Sequence, residues 1–262
     1  RNAGSLRSGG CGASLRAGTR VTDLALRRAG GPVVSGITTD PATTLTLESS
    51  PVGGDAFATF GAPDAPAAAG CPGTIHFTNG GGTGLWQTAA NWDLNRLPTT
   101  TDDVCIPAGF AATLSSGTQT VNSVFVDSTG SLTISTGSLS VATASQVNGS
   151  FTLQGGTLTG AGDFTTVGSF SWTGGIVTGA GNLVANGGVQ FSGTLAKSLT
   201  SSRALTTNGL NTTWAGTGAI QVGTGASITN NGTWDCQSDA SITNIFGGTA
   251  TFNNLASGTF KK

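Results

Sequence analysis

The residues able to do acid–base or metal chemistry are few and scattered. The candidates among the twelve carboxylates are the pair Asp102-Asp103 and, singly, Asp127, Asp163, Asp235 and Asp239, with Glu48 and the one histidine, His76. Polysaccharide cleavage needs clustered acids, or an acid with a neighbouring base, held across the scissile bond. Asp102 and Asp103 precede a strand-like segment, where capping free backbone N–H groups is the simpler role. Asp163 falls 19 residues before Asn182 in a repeat, so its slot accepts an amide and reads as a turn. Asp235 and Asp239 lie four apart across a turn with no base nearby, which leaves a weak calcium site as the sharpest metal reading. His76 sits in the alternating stretch Thr74 to Thr78 and reads as structural. Gly160-Ala161-Gly162 recurs with the repeat and reads as a turn, not a phosphate loop. The expectation is no catalytic residue, no metal and no cofactor, hence not an enzyme.

Four cysteines, Cys11, Cys71, Cys105 and Cys236, contain no C-x-x-C, so zinc is not expected. Cys71 and Cys105 bracket one segment and are expected to pair. Cys236 aligns with core positions and is expected to be buried and unpaired. The alternative is a link from Cys11 of one subunit to Cys236 of the next.

These residues are carried by a repeat. Ser150 to Gly168 (SFTLQGGTLTGAGDFTTVG) and Ser169 to Gly187 (SFSWTGGIVTGAGNLVANG) align without a gap at a period of 19, with nine identical positions. Short alternating strands between Gly turns at that period mark a solenoid, in which each unit buries its apolar face only by stacking on a neighbour. Asn148-Gly149, Asn186-Gly187, Asn208-Gly209 and Asn231-Gly232 mark successive coils, with Val167-Gly168 in the remaining slot. Phe151, Phe170, Val189, Trp234 and Phe260 follow these markers as an inward column, with Trp214 near the same slot beside an insertion. Leu153, Trp172, Phe191 and Cys236 form a second column. Glycine is expected at the corners for positive φ. Strands are expected at Ala112 to Leu114, Thr120 to Val126, Ser131 to Ile134 and Ser138 to Val141. Roughly seven coils, a rod on the order of 35 Å long, fit between Val104 and Lys262.

The fold expected is all-β: a right-handed parallel β-helix, or β-solenoid. Residues 110–262 are its repeats, and 71–109 are a cap whose Trp86 and Trp92 lie over the first coil. Residues 1–70 are an N-terminal arm or small β segment. Within that arm, Val21 to Arg28 reads as helix or strand, Pro32 to Ser50 as one or two strands, and Pro51 to Gly70 as a loop or linker. The chain stops at the start of another coil without a second cap, and the open strand edges expected there aggregate, continue into further sequence or pair with another subunit.

Charged residues are 9% of the chain, against roughly 25% in an ordinary domain. The first 30 residues hold Arg1, Arg7, Arg16, Arg20, Arg27 and Arg28 against one acid, Asp23, without the aromatic or Lys interleaving of nucleic-acid-binding segments. Nucleic acid is not expected. No apolar run approaches the roughly 18 residues of a membrane span. The chain starts at Arg1 without a signal peptide, which reads as a processed product or a piece of something longer. Thr-x-Thr occurs at Thr118/Thr120, Thr157/Thr159 and Thr249/Thr251, but Thr157 aligns with Ile176, so an ordered Thr face for ice or glycans is not expected.

The segment WQTAANWDLNRLPTTTDDV, followed by SGTQTVNSVFVDSTGSLTISTGSLSV, SFSWTGGIVTGAGN and ITNNGTWDCQSDASI, resembles the β-helical repeat regions of large secreted bacterial surface proteins of the adhesin and autotransporter-passenger kind. The resemblance spans about Gly84 to Lys262. It implies an extracellular rod used as stalk, spacer or adhesive surface. The expected partners are copies of the chain stacked head to tail, or the remainder of a longer surface protein, with glycans a further candidate. The alternative function is a carbohydrate-binding or polysaccharide-cleaving β-helix.

Overall fold

The computed structural model describes residues 71–262 apart from Leu210, together with two short strands in the arm. The chain divides into two units, Arg1–Ala69 and Gly70–Lys262. In the first, Arg7–Ser8 pairs antiparallel with Ala56–Phe57, the latter inside the stretch read as a loop. The other expectations for residues 1–70, including Glu48 and Cys11, lie outside the described residues.

The second unit is a parallel β-solenoid of about eight turns, built from three sheets of nine, eight and seven strands. Alternation decides which way each strand faces. In Ser131–Ile134 the side chains of Leu132 and Ile134 are buried while Ser131 and Thr133 are half-buried, as a strand with one wet face requires. Each strand pairs with its equivalent one coil on, so like residues stack. Phe151 lies on Phe170, Leu153 on Trp172, Leu158 on Val177 and Phe164 on Leu183.

The eight-stranded sheet carries the two inward columns. Ala112, Leu132, Phe151 and Phe170 lead the first. Leu114, Ile134, Leu153, Trp172, Phe191, Trp214 and Cys236 form the second. Trp214 therefore belongs to the second column. Thr212 takes the first-column slot against Trp234, and its Oγ1 accepts the backbone N–H of Val189 at 3.2 Å. The ring centroids of Phe151 and Phe170 are 5.0 Å apart, those of Trp172 and Phe191 5.6 Å, and those of Phe191 and Trp234 5.1 Å. On the nine-stranded sheet the inward column turns polar. Asn230, fully buried, accepts from Thr207 Oγ1 at 3.1 Å and donates to Asn254 Oδ1 at 2.7 Å.

Two expectations are corrected. The strand expected over Thr120 to Val126 is two strands, Thr118–Val121 and Ser123–Val126, on different sheets with Asn122 at the corner. The corner glycines of the Asn-Gly markers do not need positive φ: Gly149, Gly168, Gly187, Gly209 and Gly232 all lack it. Their reason is close approach. A Cβ on Gly168 would land on the carbonyl oxygen of Gly149, and one on Gly232 on that of Gly209.

The cap closes the N-terminal end. Ile75–His76 extends the nine-stranded sheet by pairing with Val104 and Cys105, and Leu85 bridges to Thr113 on the eight-stranded sheet. Trp86 and Trp92 are buried edge to face at 4.9 Å, and Trp92 Nε1 donates to the Trp86 carbonyl at 2.8 Å. Cys71 and Cys105 form a disulfide across 34 residues of chain.

Candidate functional site

The carboxylates are each engaged locally. Asp102 follows a turn that starts at Thr99, whose N–H and Oγ1 donate to Asp102 Oδ2 at 2.7 and 2.8 Å. This is the capping role expected. Arg96, which sequence reasoning did not connect to it, adds a two-pronged pair, Nη1 to Oδ2 at 2.6 Å and Nη2 to Oδ1 at 2.9 Å. The guanidinium bond, with help from Thr99, outweighs desolvation and holds the Asp102 carboxyl well below the usual carboxylate range. Asp103 Oδ1 accepts Asn122 Nδ2 and Ser123 Oγ from the next coil at 2.7 and 2.5 Å. Asp127 Oδ1 caps Ser128 N–H, and Asp163 Oδ1 accepts both N–H and Nδ2 of Asn182 on the coil after it. Both act as turn residues. His76 Nδ1 lies 2.9 Å from Asp93 Oδ2, inside the cap.

The reading of Asp235 and Asp239 is corrected. Bases do lie close: Lys261 Nζ is 3.2 Å from Asp235 and Lys262 Nζ 2.7 Å from Asp239. Both carboxyls are shifted down, Asp235 first by Gln237 and then by Lys261, Asp239 by Lys262. The pairings were hidden because strand stacking, not sequence proximity, lays Asp235 against Lys261. Among the described residues no three His, Cys, Asp or Glu gather as a metal cluster, and no helix is long and apolar enough to cross a membrane.

Register also refines the hydroxyl rows. Thr118, Ser138, Thr157 and Ile176 stack as expected, with the break at Ile176. Thr120, Ser140 and Thr159 form a neighbouring column, and Thr200 Oγ1 donates to Thr178 Oγ1 at 3.0 Å further along it. Thr251 belongs to a different sheet, the nine-stranded one, so Thr249/Thr251 is not part of this row.

At the C-terminal end Ile242–Asn244, Thr251–Asn254 and Thr259–Lys261 are the last strands of the three sheets. Phe260 lies on the column of Trp234 and is 47% exposed, and Ile245, Phe246 and Leu255 are exposed as well. Cys236 is buried and free. Sequence reasoning also missed Lys197 and Arg203, which are buried within the coils. The signal available was their position among inward-facing residues.

A closed cap, three parallel sheets and stacked inward columns define the protein as a capped β-solenoid. Comparison with protein-family models, curated proteins and solved structures finds no match to this chain.

Proposed function

We propose that the protein is a structural, extracellular β-solenoid of a bacterial surface, serving as a stalk or adhesin segment or as a head-to-tail filament subunit. The carrying observation is the continuous stack of parallel strands on three sheets around inward aromatic and aliphatic columns, joined to a Trp-packed, disulfide-tied cap. The resemblance to secreted bacterial surface proteins and a disulfide, which persists in oxidising compartments, support the extracellular assignment. A non-enzymatic role is supported by carboxylates engaged in turns, coil-to-coil bonds and lysine pairs.

Electron microscopy of the purified chain over a concentration series tests this reading. Filaments one solenoid wide, lengthening with concentration, establish head-to-tail stacking. Discrete particles at every concentration end it and leave the stalk segment, which then requires surface labelling of the source cell with antibody; labelling confined to the cell interior overturns the extracellular role.

A further inference from the structure

A groove of about 430 Å³ lies on the outer face of the nine-stranded sheet, where the cap meets the first coils. One wall is Pro72 to Thr74, the chain that leads into Ile75–His76. That wall is held close. A Cβ on Gly73 would meet the Cys105 Cβ at 2.8 Å, and Cys105 is tied to Cys71. The rest of the groove comes from three successive strands, at Asp103, at Ser123 to Phe125 and at Gln146. Register sets Asp103 beside Ser123 and Phe125 beside Gln146.

Every other aromatic on the described strands of the solenoid stands on an inward column, but Phe125 points outward, half-buried and outside the core cluster. A single exposed aromatic is ordinary on a protein surface. This one lies in a groove with polar groups beside it, the composition of a ligand site. The groups left over are acceptors. Asp103 Oδ1 is taken by Asn122 and Ser123, and Gln146 Nε2 donates to Asn148 Oδ1 at 2.6 Å. Asp103 Oδ2 and Gln146 Oε1 accept no hydrogen bond among the described residues. A carboxylate repels anionic polymers, and it binds hydroxyl donors more strongly than a neutral acceptor does. A sugar ring carries the matching set: C–H groups for the negative face of an aromatic ring, and hydroxyl donors around its edge. The groove is open on one side, which suits a ring within a longer chain.

We propose that this groove binds a neutral oligosaccharide, with one pyranose ring on Phe125 and its hydroxyls donating to Asp103 Oδ2 and Gln146 Oε1. This names the partner class of the adhesin reading above and rests on that reading. The test titrates the full chain with cellohexaose, xylohexaose, maltohexaose and chitohexaose, followed in backbone amide NMR spectra. The expected result is saturable shifts with at least one of these sugars, centred on Ser123 to Phe125 and Gln146. Phe125→Leu keeps an apolar side chain, loses the ring face and weakens binding about tenfold. Gln146→Ala, at an exposed position, weakens it several-fold with an unchanged unfolding midpoint. Thr165→Ala, one coil beyond Gln146 on the same outward column, leaves binding unchanged. The proposal is overturned by no shift with any of the sugars at millimolar concentration, by shifts centred elsewhere, by affinity retained in both Phe125→Leu and Gln146→Ala, or by a response to oligolysine alone. Surface labelling of the source cell is read separately: labelled cells with a silent groove leave the stalk and remove only the sugar site.

Discussion

Asp102 and Trp172 show how single residues hold this wall. The Asp102 carboxylate is tied to Arg96 and Thr99, and its folded pKa is depressed. A depressed carboxylate contributes its full stabilisation above the unfolded pKa of about 3.9 and loses it as pH falls toward the folded value. The unfolding midpoint is therefore expected to drop below about pH 4. Asp102→Asn is expected to lose about 1.5–3 kcal/mol near neutrality, the range for hydrogen bonds to a charged group, and to show a shallower acid decline. Melts of both proteins from acid to neutral pH check this. Parallel curves would mean that Asp102 is not the group responsible. Trp172 is fully buried between Phe170 and Phe191. Trp172→Ala is expected to cost about 3–5 kcal/mol in denaturant unfolding, the usual result of emptying a large core site.

At the level of the strand and coil, the cap and the corner glycines make separate predictions. Opening Cys71–Cys105, by reductant or by Cys71→Ser with Cys105→Ser, is expected to cost about 2–4 kcal/mol. Hydrogen exchange should rise first in Ile75–His76, at the edge of its sheet, and later in the coils. Uniform loss across both would contradict a separately tied cap. Gly168→Ala places a methyl against the Gly149 carbonyl and is expected to cost about 1–3 kcal/mol or more; an unchanged denaturation midpoint would mean that the coils are not so close. The coil was legible because the 19-residue period carries five glycines and Phe151/Phe170 through two repeats unchanged, with apolar residues exchanged only for apolar ones at Leu153/Trp172 and Phe164/Leu183. The cap and its disulfide were legible because paired Trp and bracketing Cys need a packing reason. Trp214 was misplaced because the coil lengthens at two corners. One extra residue lies between Gly209 and Thr212, and a longer turn separates Phe191 from Lys197. Neither insertion announces which column the next aromatic joins. The bonds Asp235–Lys261, Asp103–Asn122 and Arg203–Gly160 were hidden for a related reason: stacking brings together residues a coil or more apart.

For the whole molecule, the proposed function rests on the solenoid. If the last strands of the three sheets are a stacking surface, charges placed on them should block assembly while leaving the coils intact. Phe260→Asp with Ile245→Asp, both at exposed positions, is expected to abolish concentration-dependent growth in light scattering with little change in unfolding midpoint. Growth that persists in this variant would move the contact elsewhere. The claim beneath all of this is that successive coils lie one above another in a single wall. Thr113, Thr133, Thr152, Ser171, Gln190 and Thr213 form one outward column by register. The most direct measurement is the electron-spin distance between nitroxide labels placed in pairs on that column. Backbone separations should grow by about 4.8 Å per coil, reaching about 24 Å from Thr113 to Thr213. Distances that follow sequence separation instead, or a broad distribution without that increment, would contradict the solenoid and the structural role built on it.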